Sequence, residues 1–385
     1  MFEGVPSILH YTGYDDDFGG IVSVVRTLAG TRRFECTLGV NPGFKQTRNP
    51  PLLTYALPAI TGEQLGMETF WRARTVAREA RRWLAADPRR VFHAHSRAGL
   101  AVALWLQRMG EKRVVASVHC YGKQRWFYRS AARQLGDRLF WLSPAMKRHY
   151  RIKTPNNGWS QCIPGCVPAP ADAPVRARAN REVVRLGGIG ALVSWKCWHL
   201  VLDAMEKMPT LSRAKLRFSH LGAPAPTARS QRYASALRAQ TVALRLDPFV
   251  EWRGSQASSE EFLRDIDVLV VASIHEPFSI AMLEALAAGV PVLAATSGGA
   301  RDAIVPLRDG WLFQSGDVPD LTRALTMLVE TDAIQMAQPE TGPGWRFSAP
   351  VVAEQWSQVY ARVLGLQRPE RGGDAGQMTL AGKAS

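Results

Sequence analysis

The chain has 385 residues, a net charge of +15 and five cysteines. Its length predicts two domains, and 46% hydrophobic with 21% charged residues is a globular composition. No run reaches the ~18 apolar residues of a membrane span, the acidic N-terminus lacks the basic region of a secretion signal, and scattered cysteines exclude a disulfide framework, so we expect a cytoplasmic protein.

The positive charge is concentrated in the first half. Residues 1–200 contain 30 Lys and Arg against 13 Asp and Glu, whereas residues 201–385 contain 18 against 20. This asymmetry predicts an anionic partner for the first half, with a lipid surface or a lipid-diphosphate acceptor preferred. Nucleic acid is disfavoured, because no recognisable motif interleaves aromatic with basic residues. A solubilising surface is the remaining alternative.

Strands and helices alternate along the first half, which predicts a doubly wound parallel sheet. The apolar runs predict strands over residues 7–11, 53–58, 91–95, 114–119 and 138–141. Helices are predicted over residues 20–28, 67–84 and 98–109 and from residue 142.

Two features follow the first strand. Gly19 and Gly20 open the next helix, and paired glycines let a backbone approach a ligand closely, although a simple helix-entry turn is the alternative. Asp15, Asp16 and Asp17 cannot converge on a cation without further ligands. We expect them in a mobile loop near the cleft and predict no metal site.

The second half repeats the pattern after a Pro- and Ala-rich linker at 168–180. We therefore predict domains over 1–168 and 169–349 and a disordered tail over 367–385. The predicted strands are 183–190, 215–222, 250–254, 268–271 and 290–294. The predicted helices are 199–207, 229–245, 258–266, 279–288 and 321–329, with a last helix over 350–366.

The most informative stretch is 272–301, which reads as loop, helix, strand and tight turn after a buried strand. Glu276 precedes the helix, where free N–H groups near Ser279 suit a diphosphate. Glu284 follows two turns later and is suited to accept hydrogen bonds from vicinal hydroxyls such as those of a ribose. Gly289 is placed to cap the helix, and Pro291 blocks its continuation.

Glu-x7-Glu, followed by Ala-Leu-Ala-Ala-Gly-Val-Pro-Val and Gly-Gly, resembles the donor-sugar signature of retaining GT-B glycosyltransferases, glycosyltransferase family 4. The resemblance implies that Glu276 meets the transferred sugar and Glu284 the ribose. The donor loop between them would include Pro277, Phe278, Ser279 and Ile280. Ser279 stands where the family usually has Gly.

The resemblance also implies features outside this stretch. Residues 161–167 would form a strand that closes the first domain. The Gly19-Gly20 loop would face the donor phosphates and the acceptor. His119 ends a predicted strand, where parallel sheets place ligands, and would contact the transferred sugar; a satisfied structural histidine is the alternative. His95, one strand earlier, would be structural or acceptor-side. Lys196 would bind the diphosphate, but the family's Arg five or six residues earlier is absent here.

The expected architecture is therefore α/β, a GT-B fold of two Rossmann-like domains facing a central cleft, with the last helix crossing back onto the first domain. The expected activity is retaining transfer from a nucleotide-sugar donor to a glycan or lipid-linked acceptor in cell-surface polysaccharide synthesis. No metal or cofactor is expected, and the protein would sit in the cytoplasm or on the inner membrane face. The alternatives are a catalytically silent sugar-binding protein, an epimerase or phosphorylase on the same fold, and a nucleic-acid-binding protein.

Overall fold

The computed structural model describes residues 5–17, 19–60, 66–153, 160–169, 182–256, 258–341 and 344–366. Within these ranges the chain forms two sheets, each of six parallel strands. Almost all of the predicted linker at 168–180 and the whole predicted tail at 367–385 lie outside the described residues.

The first sheet has the strand order β3-β2-β1-β4-β5-β6. Its strands are β1 (Ser7–Tyr11), β2 (Glu35–Val40), β3 (Leu53–Ala56), β4 (Arg90–Ala94), β5 (Val114–Val118) and β6 (Leu139–Trp141). The helices of this half are α1 (Gly20–Gly30), α2 (Met67–Ala85), α3 (Arg97–Arg108), α4 (Arg125–Leu135) and α5 (Pro144–Tyr150).

The second sheet has the equivalent order, β12-β11-β10-β7-β8-β9. Its strands are β7 (Val184–Ile189), β8 (Leu216–Leu221), β9 (Val250–Gly254), β10 (Val268–Val271), β11 (Val292–Ala295) and β12 (Gly310–Phe313). The helices are α6 (Trp198–Lys207), α7 (Thr210–Ala214), α8 (Ala228–Ala243), α9 (Glu260–Asp265), α10 (Ile280–Ala287), α11 (Ala300–Ala303), α12 (Val318–Glu330), α13 (Ala333–Met336) and α14 (Ala349–Val363). Two sheets of this topology confirm the predicted doubly wound architecture.

The chain's last described helix covers the first sheet. Trp356 and Tyr360 of α14 are buried in a cluster with Ile8, Val91 and Val115, which lie on one face of β1, β4 and β5. The buried side chains of α14 thus complete the core of the N-terminal half. Among the described residues, no helix combines the length and the hydropathy that crossing a bilayer requires.

One strand was missed, and two local expectations were wrong. Strand β2 was not predicted, because polar Glu35 and Thr37 break its apolar run. The stretch 161–167 contributes isolated bridges rather than a strand. Asp17 does not lie in a mobile loop: it is fully buried and accepts hydrogen bonds from the Thr47 and Arg48 backbone N–H groups at 3.0 and 2.8 Å.

Candidate functional site

The second sheet places two predicted site residues side by side. Strands β7 and β10 are neighbours although β8 and β9 lie between them in sequence, which makes their carboxyl ends a switch point where such sheets bind ligands. The loop after β7 carries Lys196, and the loop after β10 carries Glu276. The two loops are joined by the Ile274 N–H, which donates to the Trp195 carbonyl at 3.2 Å.

Lys196 and Glu276 form an ion pair at this point. The Lys196 Nζ lies 2.5 Å from Glu276 Oε2, and the two side chains are only 15% and 7% exposed. The Ser273 hydroxyl donates to the same carboxylate oxygen at 3.2 Å. Lys196, predicted to bind the diphosphate, and Glu276, predicted to bind the sugar, are therefore in direct contact. The other carboxylate oxygen of Glu276, Oε1, takes part in neither of these two contacts.

The helix that follows Glu276 is capped by a side chain. Ser279 is buried, and its Oγ accepts the Met282 N–H at 3.2 Å, as an N-cap serine does. The first-turn N–H groups of Ile280 and Ala281 have no intrahelical partner in such a helix. Ser279 thus stabilises the start of α10, which gives its hydroxyl a structural use at a position where the family usually has glycine.

Phe278 and Ile280 line the cleft between the two halves, and their side chains also pack against neighbouring protein groups. Phe278 is buried against Phe347, with ring centroids 5.4 Å apart. A Cβ added at Gly20 would lie 3.3 Å from Ile280 Cγ1, and one at Gly165 would lie 2.7 Å from Ile280 Cδ1. Ile280 therefore packs across the cleft against two glycines, and its backbone is the part suited to a ligand.

The turn at Gly298 and Gly299, which follows β11, packs against the Glu276 loop. The Gly299 N–H donates to the Pro277 carbonyl at 3.0 Å, and the Ser297 hydroxyl donates to the Ser273 carbonyl at 2.5 Å. Gly298 has φ +55°, and a Cβ there would lie 1.7 Å from the Glu276 carbonyl oxygen. No side chain fits at this position, so the Gly-Gly of the motif holds Glu276 in place.

Glu284 is half-buried on α10 and accepts a hydrogen bond from the Ser259 hydroxyl at 3.0 Å. Burial raises the pKa of Glu284, and the Ser259 hydrogen bond opposes that shift. A carboxylate with one fixed donor keeps further acceptor capacity for hydroxyl groups.

A cleft of about 840 Å³ opens between the two halves. Gly20 and His119 line it from the first half, and Glu276 and Pro277 line it from the second. Gly19 is the N-cap of α1 and has φ +103°, a backbone angle that favours glycine. Three basic side chains of the first half also line the cleft, namely Arg97, Lys123 and Arg125.

His119 belongs to a buried network. His119 Nε2 lies 3.0 Å from His95 Nδ1, and His95 Nε2 lies 2.9 Å from His10 Nδ1. Burial lowers the pKa of His10 to about 3 and that of His119 to about 4. His10 was missed from the sequence, because a histidine inside an apolar strand shows no motif; the β1–β4 register, which pairs it with His93, creates the contact.

The same cluster contains the one arrangement among the described residues with the spacing of metal ligands. Ligand atoms of His10, His93 and His95 lie within 4.8 Å of one another. The His93 ring nitrogens contact the Tyr360 hydroxyl at 2.7 Å and the Ser117 hydroxyl at 2.8 Å. Since every ring nitrogen of the trio already has a hydrogen-bond partner, the geometry favours a polar network over a metal centre.

Comparison with known proteins agrees with this geometry. Residues 183–331 match the family model of glycosyl transferases group 1. The chain is 31% identical over 234 residues to a D-inositol 3-phosphate glycosyltransferase of Kineococcus radiotolerans, covering 54% of this chain and 51% of that protein. It spans about half or less of the length of the curated relatives it matches.

Two solved structures resemble nearly the whole chain. Sucrose-phosphate synthase of Thermosynechococcus elongatus has a TM-score of 0.71 at 18% identity, covering 94% of this chain and 100% of that one. Anabaena Alr3699/HepE, solved in complex with UDP and glucose, has a TM-score of 0.69 at 17% identity, covering 92% and 99%. The fold is therefore the predicted GT-B fold of two Rossmann-like domains, and its second domain matches the group 1 glycosyltransferases.

Proposed function

We propose that this protein is a retaining glycosyltransferase that takes a sugar from a nucleotide-sugar donor. The observation that carries the proposal is the juxtaposition of Lys196, Glu276 and the start of α10 at the switch point of the second sheet. The match of the second domain to group 1 glycosyltransferases supports the same activity.

The donor diphosphate would lie at the start of α10. The N–H groups of Ile280 and Ala281 and the helix dipole attract an anion, and Lys196 supplies a full positive charge. These groups stabilise the charge that develops on the leaving phosphate oxygen. Lys196 exchanges its Glu276 partner for a phosphate, which frees Glu276 to accept hydrogen bonds from the sugar.

Glu284 would hold the nucleoside end. Glu284 lies about one turn into α10, whereas Glu276 precedes the helix. The two carboxylates would therefore meet different parts of the donor. Vicinal ribose hydroxyls can donate to its carboxylate beside the Ser259 hydrogen bond.

In the reaction, the bond between the anomeric carbon and the diphosphate oxygen breaks, and the acceptor oxygen forms a new bond on the same face of the sugar. The acceptor hydroxyl proton passes to the departing phosphate oxygen. This route needs neither a side-chain base nor a metal ion. Retention, membership of family 4 and metal independence are parts of the proposal that a product analysis can test.

The acceptor would be a phosphate-bearing or lipid-linked glycan. Arg97, Lys123 and Arg125 bring positive charge to the first-domain side of the cleft, where an anionic acceptor would be attracted. An acceptor of this kind is consistent with a role in cell-surface polysaccharide synthesis.

We further propose that α4 contacts an anionic membrane. Trp126 is 71% exposed, and Arg125, Arg129 and Arg133 are exposed on the same helix. An exposed aromatic ring among arginines suits the interface of an anionic bilayer. Reversing the three arginine charges should reduce binding to phosphatidylglycerol vesicles at low salt; unchanged binding would contradict the membrane contact.

The donor is identified by a thermal-shift screen with UDP-, GDP- and ADP-linked sugars, followed by an assay of donor hydrolysis. One donor should raise the melting temperature and be cleaved slowly. Glu276→Ala and Glu284→Ala should each lose that cleavage, whereas Glu261→Ala, an exposed carboxylate on α9, should keep it.

Two other outcomes would redirect the proposal. A donor that binds, but is neither cleaved nor used to transfer its sugar to any acceptor preparation, would indicate a catalytically silent sugar-binding protein. A product whose anomeric configuration, read by NMR, is inverted relative to the donor would contradict the retaining mechanism.

A further inference from the structure

Beyond the donor site, a line of polar side chains runs through the otherwise apolar face of the first sheet. Cys36 Sγ lies 3.6 Å from His10 Nε2, His10 Nδ1 lies 2.9 Å from His95 Nε2, and His95 Nδ1 lies 3.0 Å from His119 Nε2. These four residues are here called the histidine chain. Its inner end is Cys36, a half-buried residue of β2, and its other end is His119, which lines the cleft.

In the histidine chain, the direction of each hydrogen bond determines the direction of the next, because a neutral imidazole has one donor and one acceptor nitrogen. Burial lowers the pKa of His10 to about 3 and holds that of His95 well below its ordinary value, so both rings are neutral at pH 7. Once one ring is fixed, each neighbour must take the complementary tautomer. The whole line therefore has two states, one donating toward the cleft and one donating away from it.

Cys36, at the inner end, determines which of these two hydrogen-bond directions the histidine chain adopts. Burial raises the pKa of the Cys36 thiol to about 12, so the sulfur carries its proton. A thiol is a weak acceptor, whereas an unprotonated imidazole nitrogen is a good one. The favoured contact is therefore S–H donation from Cys36 to His10 Nε2, which places the His10 proton on Nδ1.

We propose that the histidine chain holds His119 in its Nδ1–H tautomer, so that a neutral His119 donates a hydrogen bond into the cleft. From Cys36 outward, His10 Nδ1–H donates to His95 Nε2, and His95 Nδ1–H donates to His119 Nε2. His119 Nδ1 has no hydrogen-bond partner among the described residues and carries the remaining proton. Cys36, His10 and His95 are then positioning residues that act through His119.

This polarity determines which ligand oxygens His119 can bind. An Nδ1–H group binds acceptor oxygens, such as a phosphate oxygen or a sugar hydroxyl oxygen, without adding a positive charge that would compete with Lys196. The opposite tautomer would require a hydroxyl to donate to it. The ligand part of this inference rests on the proposed function, whereas the tautomer is a property of the protein by itself.

The test is a long-range ¹H–¹⁵N spectrum of the full chain labelled with ¹⁵N-histidine, without any ligand. Single substitutions assign the signals of His10, His95 and His119. All three should show a protonated Nδ1 and an unprotonated Nε2. A protonated Nε2 at any of the three, or a charged ring at pH 7, would overturn the inference.

A matched pair of variants tests the inner end. Cys36→Ser keeps a hydroxyl donor and should preserve the wild-type pattern, whereas Cys36→Ala should move His119 to a mixture of tautomers. Cys166→Ala, which removes a buried thiol from the same apolar cluster, should leave all three rings unchanged. An unchanged His119 in Cys36→Ala would overturn the role of the thiol.

Metal binding is the competing explanation, and Zn²⁺ provides its test. Adding ZnCl₂ should leave the three ring spectra unchanged if the cluster is a hydrogen-bonded chain. Stoichiometric Zn²⁺ retained after dialysis, with shifts at His10, His93 and His95, would overturn the inference. Because none of these readings uses a sugar donor, failure of the glycosyltransferase proposal would leave them intact.

Discussion

Replacing Lys196 by methionine tests the ion pair at the centre of the site. Two unit charges 2.5 Å apart attract by about 7 kcal/mol at an effective dielectric constant of ~20, and by less than about 2 kcal/mol in water. Removing one member of a buried pair costs about 3–5 kcal/mol because the other charge stays buried. The cost for this pair should lie at the lower end of that range. The two side chains keep some exposure to solvent, and the nearby start of α10 stabilises an unpaired Glu276 carboxylate.

We therefore expect Lys196→Met to lower the free energy of unfolding by about 3 kcal/mol. Glu276→Gln should cost about 2 kcal/mol, because its amide oxygen still accepts a hydrogen bond. The double variant should lose about 3 kcal/mol rather than the sum, giving a coupling energy of about 2 kcal/mol.

Calorimetry measures these differences as shifts in the melting temperature of the second domain. A loss of about 3 kcal/mol corresponds to a fall of roughly 6–12 °C for a domain of this size. Lys207→Met removes an exposed lysine at the end of α6 and should stay within about 0.5 kcal/mol of wild type. Additive losses in the double variant, within about 0.5 kcal/mol, would refute the coupling.

Three further predictions concern the residues around the site. Burial lowers the folded pKa of His10, His93 and His95. The free energy of unfolding should therefore fall as the pH drops from 6.5 to 5, by about 1.4 kcal/mol per pH unit for each such histidine. Equal unfolding free energies at pH 7 and pH 5 would contradict burial of these rings in the neutral form. Asp302→Ala removes the acceptor of the first-domain Ala145 N–H at 2.6 Å and of Arg148 at 2.8 Å, and should open the domains in solution scattering. Asp302→Asn keeps one acceptor oxygen but loses the ion pair, and should open them less. Gly298→Ala should abolish the donor-induced melting shift, because its Cβ would overlap the Glu276 carbonyl; Gly316→Ala, with φ +78° and open space, should keep the shift.

The sign of the pH prediction follows from linkage. A folded pKa below the unfolded value of about 6.5 means that the unfolded chain binds protons first as the pH falls. The stability contributed by the neutral rings is therefore complete above pH 6.5 and is lost below it. For His10 the loss continues down to its folded pKa of about 3.

Much of the fold was predictable because buried parallel strands are short apolar runs between helices. Strand β10 shows this, since Val268–Val271 is apolar throughout and buried on both faces. Strand β2 could not be recognised, because its polar residues hide its central position beside β1. Helix α4 was missed because its arginines outweigh its apolar stripe in sequence.

Spacing relates candidate site residues that share one local stretch, whereas it does not reveal the contacts between distant segments. Glu276, Ser279 and Glu284 share a single loop and helix, so spacing alone relates them. Lys196 lies 80 residues from Glu276 in sequence, and strand order brings them together. The histidine chain depends on strand register in the same way, so no spacing rule could reveal it.

The division of labour between the two carboxylates is tested most directly by calorimetric titration. The ligands are the nucleoside diphosphate and the nucleotide sugar found by the screen, and the proteins are wild type, Glu276→Ala and Glu284→Ala. If Glu284 binds the ribose and Glu276 the sugar, Glu284→Ala should weaken both ligands by roughly tenfold, equivalent to about 1.4 kcal/mol. Glu276→Ala should weaken the nucleotide sugar, whereas the diphosphate affinity should be unchanged or higher, because Lys196 no longer gives up an ion-pair partner to bind phosphate. Equal weakening of both ligands by both variants, or of neither, would contradict the proposed donor site.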